Sequence, residues 1–240
     1  MQLWNISSRQ LITSLQNVLP SNLPVAFNRD GRIIAYVESI ENLRTVRLWD
    51  VDGSKGIGTP LTQVSRATCC VAFSTTDKNL LAIGDESVTL WDIATRKNLG
   101  ELEVSYPKGH YAQVNTLSFS ADGSILAAGL SDGTVLVWNV KTRQQLHEIK
   151  AADEGVEVSK LAFSPAGKIL ATATGTPPSH VDSSYHTRLW DLTTWSPIGP
   201  PLPGTRGRSV TFSPDGKFLA TADSYSLRLW NVSELLQSSG

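Results

Sequence analysis

Six of the seven tryptophans in this chain stand in one recurring phrase: Leu3-Trp4-Asn5, Leu48-Trp49-Asp50, Leu90-Trp91-Asp92, Val137-Trp138-Asn139, Leu189-Trp190-Asp191 and Leu229-Trp230-Asn231. Successive copies lie 45, 42, 47, 52 and 40 residues apart. A period of this size means that one supersecondary unit is built many times, so the fold must be derived from the unit. A single copy is too small to bury both faces of a sheet, and stability has to come from stacking neighbours.

A second phrase precedes each of the last five tryptophans: Val25-Ala26-Phe27-Asn28, Val71-Ala72-Phe73-Ser74, Leu117-Ser118-Phe119-Ser120, Leu161-Ala162-Phe163-Ser164 and Val210-Thr211-Phe212-Ser213. Large apolar residues alternate with small ones, the period of a strand. This is strand a of the unit. A turn follows in the form of Asp30-Gly31, Asp122-Gly123, Ala166-Gly167 and Asp215-Gly216, with glycine at the position that needs positive φ. The second copy, Thr75-Thr76-Asp77-Lys78, has no glycine and should turn less tightly. Strand b begins at Ile33, Leu80, Ile125, Ile169 and Phe218, and the tryptophan phrase closes strand c. A weaker strand d follows, as in Gln10–Leu15 and Gln144–Ile149. Four short antiparallel strands per unit, with no helical stretch between them, predict an all-β repeat whose sheets pack face to face around an axis, a β-propeller.

Composition narrows the function. The chain has 240 residues, with 21 basic against 22 acidic ones, so the basic footprint of a nucleic-acid-binding surface is missing. No apolar run approaches the ~20 residues that span a bilayer. The N-terminus lies inside a repeat and lacks the charge-then-apolar order of a secretory signal. Cys69 and Cys70 are neighbours whose side chains point to opposite faces of a strand, so they read as small buried residues in a reducing, cytoplasmic setting. Asn5 and Asn231 fit the glycosylation pattern, but both occupy the position after tryptophan and read as repeat residues.

The run Gly109-His110…Val114–Gly123…Ser131-Asp132-Gly133-Thr134-Val135…Trp138-Asn139 resembles a complete WD40 repeat, and similar copies cover nearly all of the chain. The stretch from Trp190 through Pro197-Ile198-Gly199-Pro200-Pro201-Leu202-Pro203-Gly204 is also similar to the WD40 arrays of bacterial multidomain signalling proteins. The resemblance implies one propeller domain over residues 1–240, with repeat cores at about 1–16, 23–63, 68–104, 114–150, 158–203 and 208–233. Five a–b–c units and an N-terminal c–d piece make up that count.

WD40 repeats often join a Gly-His histidine, a strand-b Ser or Thr, a turn aspartate and the tryptophan in a buried hydrogen-bonded network. Here His110, Asp132 and Trp138 match, but Ala128 holds the Ser/Thr position and the other four a-strands have no Gly-His. Packing of Trp49, Trp91, Trp138, Trp190 and Trp230 is therefore expected to dominate, with His110 and Asp132 as the network of one unit. Closure stays open between two arrangements. In one, Gln10–Leu15 serves as strand d beside the Trp230 strand and Leu3-Trp4-Asn5 is surplus. In the other, the ring is incomplete and is finished by another chain or by further repeats. The residues after Trp230, 232–240, receive no element.

For chemistry, the four histidines His110, His147, His180 and His186 sit in no metal-ligand or nucleophile motif. A His180–Asp182–His186 metal site is conceivable but its spacing is loose. No enzyme activity, metal or cofactor is expected. The longest insertion, residues 174–186, joins strands b and c: Leu170 to Trp190 is 20 residues, against 12 from Leu126 to Trp138. It should share a rim with the d–a connections, where Lys108, Tyr111 and Gln113, then Asp153, Glu154 and Glu157, then Arg206 and Arg208 lie. Lys108, Tyr111, Gln113, Arg206 and Arg208, together with His180 and Tyr185, are the candidate partner-binding residues, since arginine and tyrosine recur at interface hot spots, and the acidic residues make the surface mixed in charge. Trp195, outside the phrase, either caps strand d of its unit against the core or stands exposed as an anchor. The reading is a rigid, non-enzymatic platform or sensing module for a protein or peptide partner, with no membrane and no nucleic acid. The alternative is a structural array segment that completes a larger or oligomeric propeller through open strand edges.

Overall fold

The computed structural model describes residues 1–15, 25–40, 43–61, 70–102, 112–153, 156–175, 186–202, 208–223 and 226–237. The chain divides into two compact units, Met1–Glu101 and Leu102–Gly240.

The first unit opens with a two-stranded sheet, β1 (Gln2–Asn5) and β2 (Gln10–Ser14). A four-stranded sheet follows, ordered β3 (Val25–Phe27), β4 (Ile33–Ile40), β5 (Leu43–Asp50) and β6 (Lys55–Gly56). The next holds β7 (Cys70–Phe73), β8 (Leu80–Gly84), β9 (Val88–Asp92) and β10 (Lys97–Leu102), whose last residue passes the unit boundary. In the second unit, β11 (Val114–Phe119), β12 (Ile125–Leu130), β13 (Thr134–Asn139) and β14 (Gln145–Lys150) form one sheet. Two three-stranded sheets complete it: β15 (Glu157–Phe163), β16 (Ile169–Gly175) and β17 (Thr187–Asp191), then β18 (Ser209–Phe212), β19 (Phe218–Ala222) and β20 (Leu227–Asn231). The central b–c pairs of all five larger sheets are antiparallel, and chain order is strand order, as the repeat predicts.

Local chemistry explains the repetition. After each strand-c tryptophan, the Asp or Asn carboxyl or amide oxygen accepts a backbone N–H two or three residues on: Ser8 to Asn5, Gly53 to Asp50, Thr95 to Asp92, Thr142 to Asn139, Thr194 to Asp191 and Ser233 to Asn231. These Asx turns begin the c–d connection. Five residues past the tryptophan, Arg9, Ser54, Arg96, Arg143 and Trp195 all take positive φ. Strain at Trp195 is thus a property of the repeated turn. After strand a, the Asn or Ser side-chain oxygen accepts the first N–H of strand b, at Asn28–Ile33, Ser120–Ile125, Ser164–Ile169 and Ser213–Phe218. In the glycine-free copy Ser74 accepts instead from Thr76 and Asp77, and its N–H reaches Leu80, one residue further on than in the other turns. That turn is the looser one.

Strand d is weak where proline removes donors. Beside β17 it shrinks to the bridges Trp190–Pro197 and Thr187–Leu202. After β20 it is replaced by a helix, α1 (Val232–Gln237), which the sequence reading leaves blank. Asn231 caps it: its Oδ1 accepts from Ser233 N–H and its Nδ2 donates to Glu234 Oε1. A capping residue followed three positions later by glutamate is a helix start signal, and Val232 and Leu235 pack onto the core.

Sheets stack by one rule. Each has a tryptophan face and an opposite face. Within each unit, the opposite face of one sheet packs on the tryptophan face of the next. Leu3 and Leu15 meet Ile34, Tyr36 and Trp49. Ala35, Val37, Val46 and Leu48 meet Phe73, Leu81 and Trp91. Ala127, Val135 and Val137 meet Leu161, Leu170 and Trp190. Ala171, Ala173 and Leu189 meet Val210, Leu219 and Trp230. Small residues in strand b let the sheets approach. At Gly129 an added Cβ would lie 2.5 Å from Val158 Cγ1.

The indole N–H groups correct the expectation that network partners are largely missing. Trp190 Nε1 donates to Thr172 Oγ1 at 3.0 Å and Trp230 Nε1 to Thr221 Oγ1 at 3.0 Å, both threonines lying in strand b. Trp91 Nε1 uses Thr89 on its own strand, at 3.1 Å. The register position of Thr172 is taken by Tyr36 in the Trp49 sheet, and Trp49 Nε1 is buried with no hydrogen-bond partner among the described residues. Ala128 holds the same position opposite Leu136 in the Trp138 sheet, as expected. Thr172→Val should therefore cost about 1–3 kcal/mol, because it orphans a buried donor. Urea unfolding of that variant beside Ala128→Val, which breaks no such bond, checks it through the hydrogen-bond share of the loss.

Of the two closure arrangements, β2 pairs with β1, Trp4 opposite Leu11 and Asn5 opposite Gln10. The Gln10–Leu15 strand is thus not strand d of the Trp230 sheet, in which β20 is an edge.

Candidate interaction surface

The predicted rim collects the ends of the b–c and d–a connections, and two such connections meet in the β11–β14 sheet. Gln113 precedes β11 and Ser131 follows β12. Gln113 N–H donates to Ser131 Oγ at 2.9 Å, and Ser131 N–H returns to Gln113 O at 2.9 Å. The two connections are tied together, and Gln113 itself is exposed. In the same turn Asp132 Oδ1 accepts Thr134 N–H at 2.9 Å. Asp132 is therefore a turn anchor, while the His110 of its predicted network lies outside the described residues.

Lys108, Tyr111, His180, Tyr185 and Arg206 also lie outside the described residues, as do Glu154, Asp182 and Cys69; Cys70 is buried. The base of the long b–c insertion is described. Thr174 N–H donates to His186 O at 2.9 Å and His186 N–H to Thr174 Oγ1 at 3.3 Å. The His186 ring reaches back, with Nε2 3.2 Å from Ala151 O and 3.1 Å from Arg188 Nε.

The starts of three successive a-strands carry a polar row. Asn115 in β11 donates from Nδ2 to Glu157 Oε2 in β15 at 3.1 Å. Arg208, exposed just before β18, acts on the same carboxylate through its charge. Burial of Glu157 raises its pKa, and the Asn115 hydrogen bond and the Arg208 charge only partly offset that. A half-buried carboxylate held between an amide donor and an exposed guanidinium can accept a donor group from a ligand. Asn115 had no signal in the sequence beyond its place two residues after Gln113. Asp153, before the same strand as Glu157, is exposed.

Trp195 is partly buried and joins the core shared with Trp190. Its ring stacks on His147 of β14, with centroids 4.2 Å apart, so it packs on strand d of the preceding sheet. Arg96, at the same turn position in the first unit, donates to Ile57 O at 3.0 Å and to Thr59 O, gripping the strand-d segment of the sheet before it. The fifth residue past tryptophan thus latches a sheet to its predecessor in both places.

The recurrent turn aspartates are structural. Ser120 Oγ at 2.6 Å, with Ser124 N–H, holds the Asp122 carboxyl below the usual carboxylate range. Ser213 Oγ at 2.6 Å, with Lys217 N–H, does the same for Asp215. The Thr95 N–H lowers Asp92, and the Thr193 N–H lowers Asp191. A depressed folded-state pKa stabilises the fold above the ordinary carboxylate value, and that stabilisation is lost as pH falls through the folded value. Below about pH 4, melting temperature should fall more steeply with acid in the parent than in Asp122→Asn; equal slopes in a pH series would remove this group from the acid response.

Among the described residues, no group of three or more His, Cys, Asp or Glu could hold a metal ion, and no helix is long and apolar enough to cross a membrane. Antiparallel sheets stacked tryptophan face to opposite face are blades of a β-propeller. Residues 100–139 and 205–231 match the family described as WD domain, G-beta repeat. MST50-interacting protein 11 of Pyricularia oryzae is 28% identical over 169 residues, covering 68% of this chain and 51% of that protein. Apoptotic protease-activating factor 1 of Homo sapiens is 28% identical over 187 residues, 75% of this chain and 14% of that protein. Small ribosomal subunit protein RACK1y of Oryza sativa subsp. japonica is 30% identical over 158 residues, 62% of this chain and 42% of that protein. The two matched stretches are thus similar to WD40 repeats. The chain spans about half the length, or less, of these curated relatives.

Proposed function

We propose that the chain is a non-enzymatic platform that holds a protein or peptide partner across the rim of its b–c and d–a connections. The observation that carries this reading is the Asn115–Glu157–Arg208 row, which sets an amide, a half-buried carboxylate and an exposed guanidinium across three successive a-strands. A relative named as a protein-interacting protein, MST50-interacting protein 11, supports it. A contact surface of both signs suits a polar, mixed-charge partner, and charge complementarity of this kind selects among partners. The reading includes Lys108, Tyr111, Gln113, His180, Tyr185 and Arg206 as further contacts, and a cytoplasmic, signalling or sensing setting.

Affinity capture from the source cell, with Arg208→Glu, Arg206→Glu and Tyr111→Ala beside the parent, tests it. A hot-spot residue contributes more than about 1 kcal/mol, so recovery of a specific partner should drop roughly five- to tenfold with at least one variant. Partners retained by all three variants would move the interface off this rim.

A second reading, an array segment that completes a larger or oligomeric propeller, is favoured by one observation. The face of the β18–β20 sheet that lies opposite its tryptophan is open, with Leu227 69% and Leu229 68% exposed.

A further inference from the structure

The face of the β18–β20 sheet opposite Trp230 carries Phe218, Ala220, Ala222, Leu227 and Leu229. The register-equivalent residues of the β15–β17 sheet are Ile169, Ala171, Ala173, Thr187 and Leu189. Those five are buried, Leu189 to 2% exposure, because the next sheet's tryptophan face covers them. In the same register on β18–β20, Phe218, Leu227 and Leu229 are exposed, and Ala220 and Ala222 are partly so. This is a sheet-packing face, and the packing rule seen at four junctions states what covers it: the tryptophan face of another sheet.

One such face is half uncovered in the first unit. Val25 and Phe27 pair with Tyr36 and Ile34 and share the tryptophan face of the β3–β6 sheet. At the next junction the equivalents Val71 and Phe73 are buried under the preceding sheet. Here the preceding sheet has only its c and d strands, β1 and β2. These cover Ile34, Tyr36 and Trp49 and leave Val25 and Phe27 exposed. Among the described residues the first sheet has no strand a or b, and the β18–β20 sheet has a, b and c and no d.

The two deficits share one strand. Leu3-Trp4-Asn5 of β1 and Leu229-Trp230-Asn231 of β20 are the same phrase. β2 pairs with β1 with Trp4 opposite Leu11, seven residues on, as Trp49 is opposite Gly56 and Trp138 opposite Gln145. β1 therefore holds on β2 the place that a strand like β20 would take. We propose that the chain associates with a second copy by strand exchange. β20 of one copy displaces β1 from β2 of the other, with Trp230 opposite Leu11 and Asn231 opposite Gln10. The incoming Phe218, Ala220, Leu227 and Leu229 then cover Val25 and Phe27. β2 is paired with β1, so the slot opens only when β1 leaves. This proposal rests on the array-segment reading and is independent of the rim.

Cross-linking tests it on the whole chain. Gln10→Cys and Asn231→Cys chains are mixed, unfolded and refolded together, then oxidised. Directly opposed residues of antiparallel strands lie within disulfide reach. A disulfide-linked dimer that forms in the mixture and in neither variant alone is the expected result, since the native cysteines are common to both. Sedimentation equilibrium should show mass rising with concentration above the 26.0 kDa of one chain. Leu229→Asp should weaken that association at least about tenfold, and removal of residues 1–5 should strengthen it. Leu229 is exposed, so its variant should melt as the parent does; if it fails to fold, Leu227→Asp replaces it. Association that survives both aspartates without mixture-specific cross-linking overturns the exchange and leaves the array reading standing. A folded chain that stays a monomer at every concentration overturns both.

Discussion

Trp138→Ala should lower the unfolding free energy by about 3–5 kcal/mol, the range for deleting a fully buried large aromatic side chain. Trp138 lies in β13 between β12 and β14 and is 1% exposed. It is the largest fully buried side chain among the described residues. β13 is tied on both sides into a four-stranded ladder, so its backbone has little freedom to collapse into the space left behind. Trp4, the same residue in the same phrase, is 52% exposed, and Trp4→Ala should cost below about 1 kcal/mol, the scale of surface substitutions. Urea unfolding of both variants makes the comparison internal. An unchanged midpoint for Trp138→Ala would remove that side chain from the core.

Gly133→Val should be the next most damaging single change, at about 2–5 kcal/mol, the sum of a strained backbone and an overpacked contact. Gly133 has φ of +84°, which L side chains rarely adopt. Space is the second obstacle. An added Cβ would lie 2.8 Å from Val156 O and 2.9 Å from Ala152 O, and those are backbone atoms that no rotamer change can move. The Gly133 carbonyl also accepts both Ala151 and Ala152 N–H groups, so the b–c turn and the strand-d exit move together if it shifts. Gly167→Val is the matched control, since it has φ of +69° with nothing within 4 Å. It isolates the φ cost, and a loss as large as that of Gly133→Val would show that crowding contributes nothing. Melting curves of the two variants give the difference directly.

The candidate rim was legible as a set of connections and less so as a site. Gln113 and Arg208 were singled out, and Glu157 noted beside them, because they fall on the d–a connections between strands of an apolar repeat. Asn115 was not, since nothing in a local stretch says that its amide reaches a carboxylate 42 residues away. The tryptophan partners show the same limit more sharply. Thr172 lies 18 residues before Trp190, and Thr221 only 9 before Trp230. The b–c connection differs in length between the two, so a constant register is hidden behind a variable spacing.

The period, the strands and the turns belong to the sequence alone, because each rests on short-range physics. Alternating side chains make the strands, an aspartate or asparagine after tryptophan closes the Asx turn, and glycine accepts positive φ. Tertiary structure decided which face of each sheet meets the next and which tryptophans find a threonine. It also decided that β2 lies beside β1 and not beside β20. Leu3-Trp4-Asn5 and Leu229-Trp230-Asn231 are identical to any local reading, and only packing against Ile34, Tyr36 and Trp49 distinguishes the one that β2 holds.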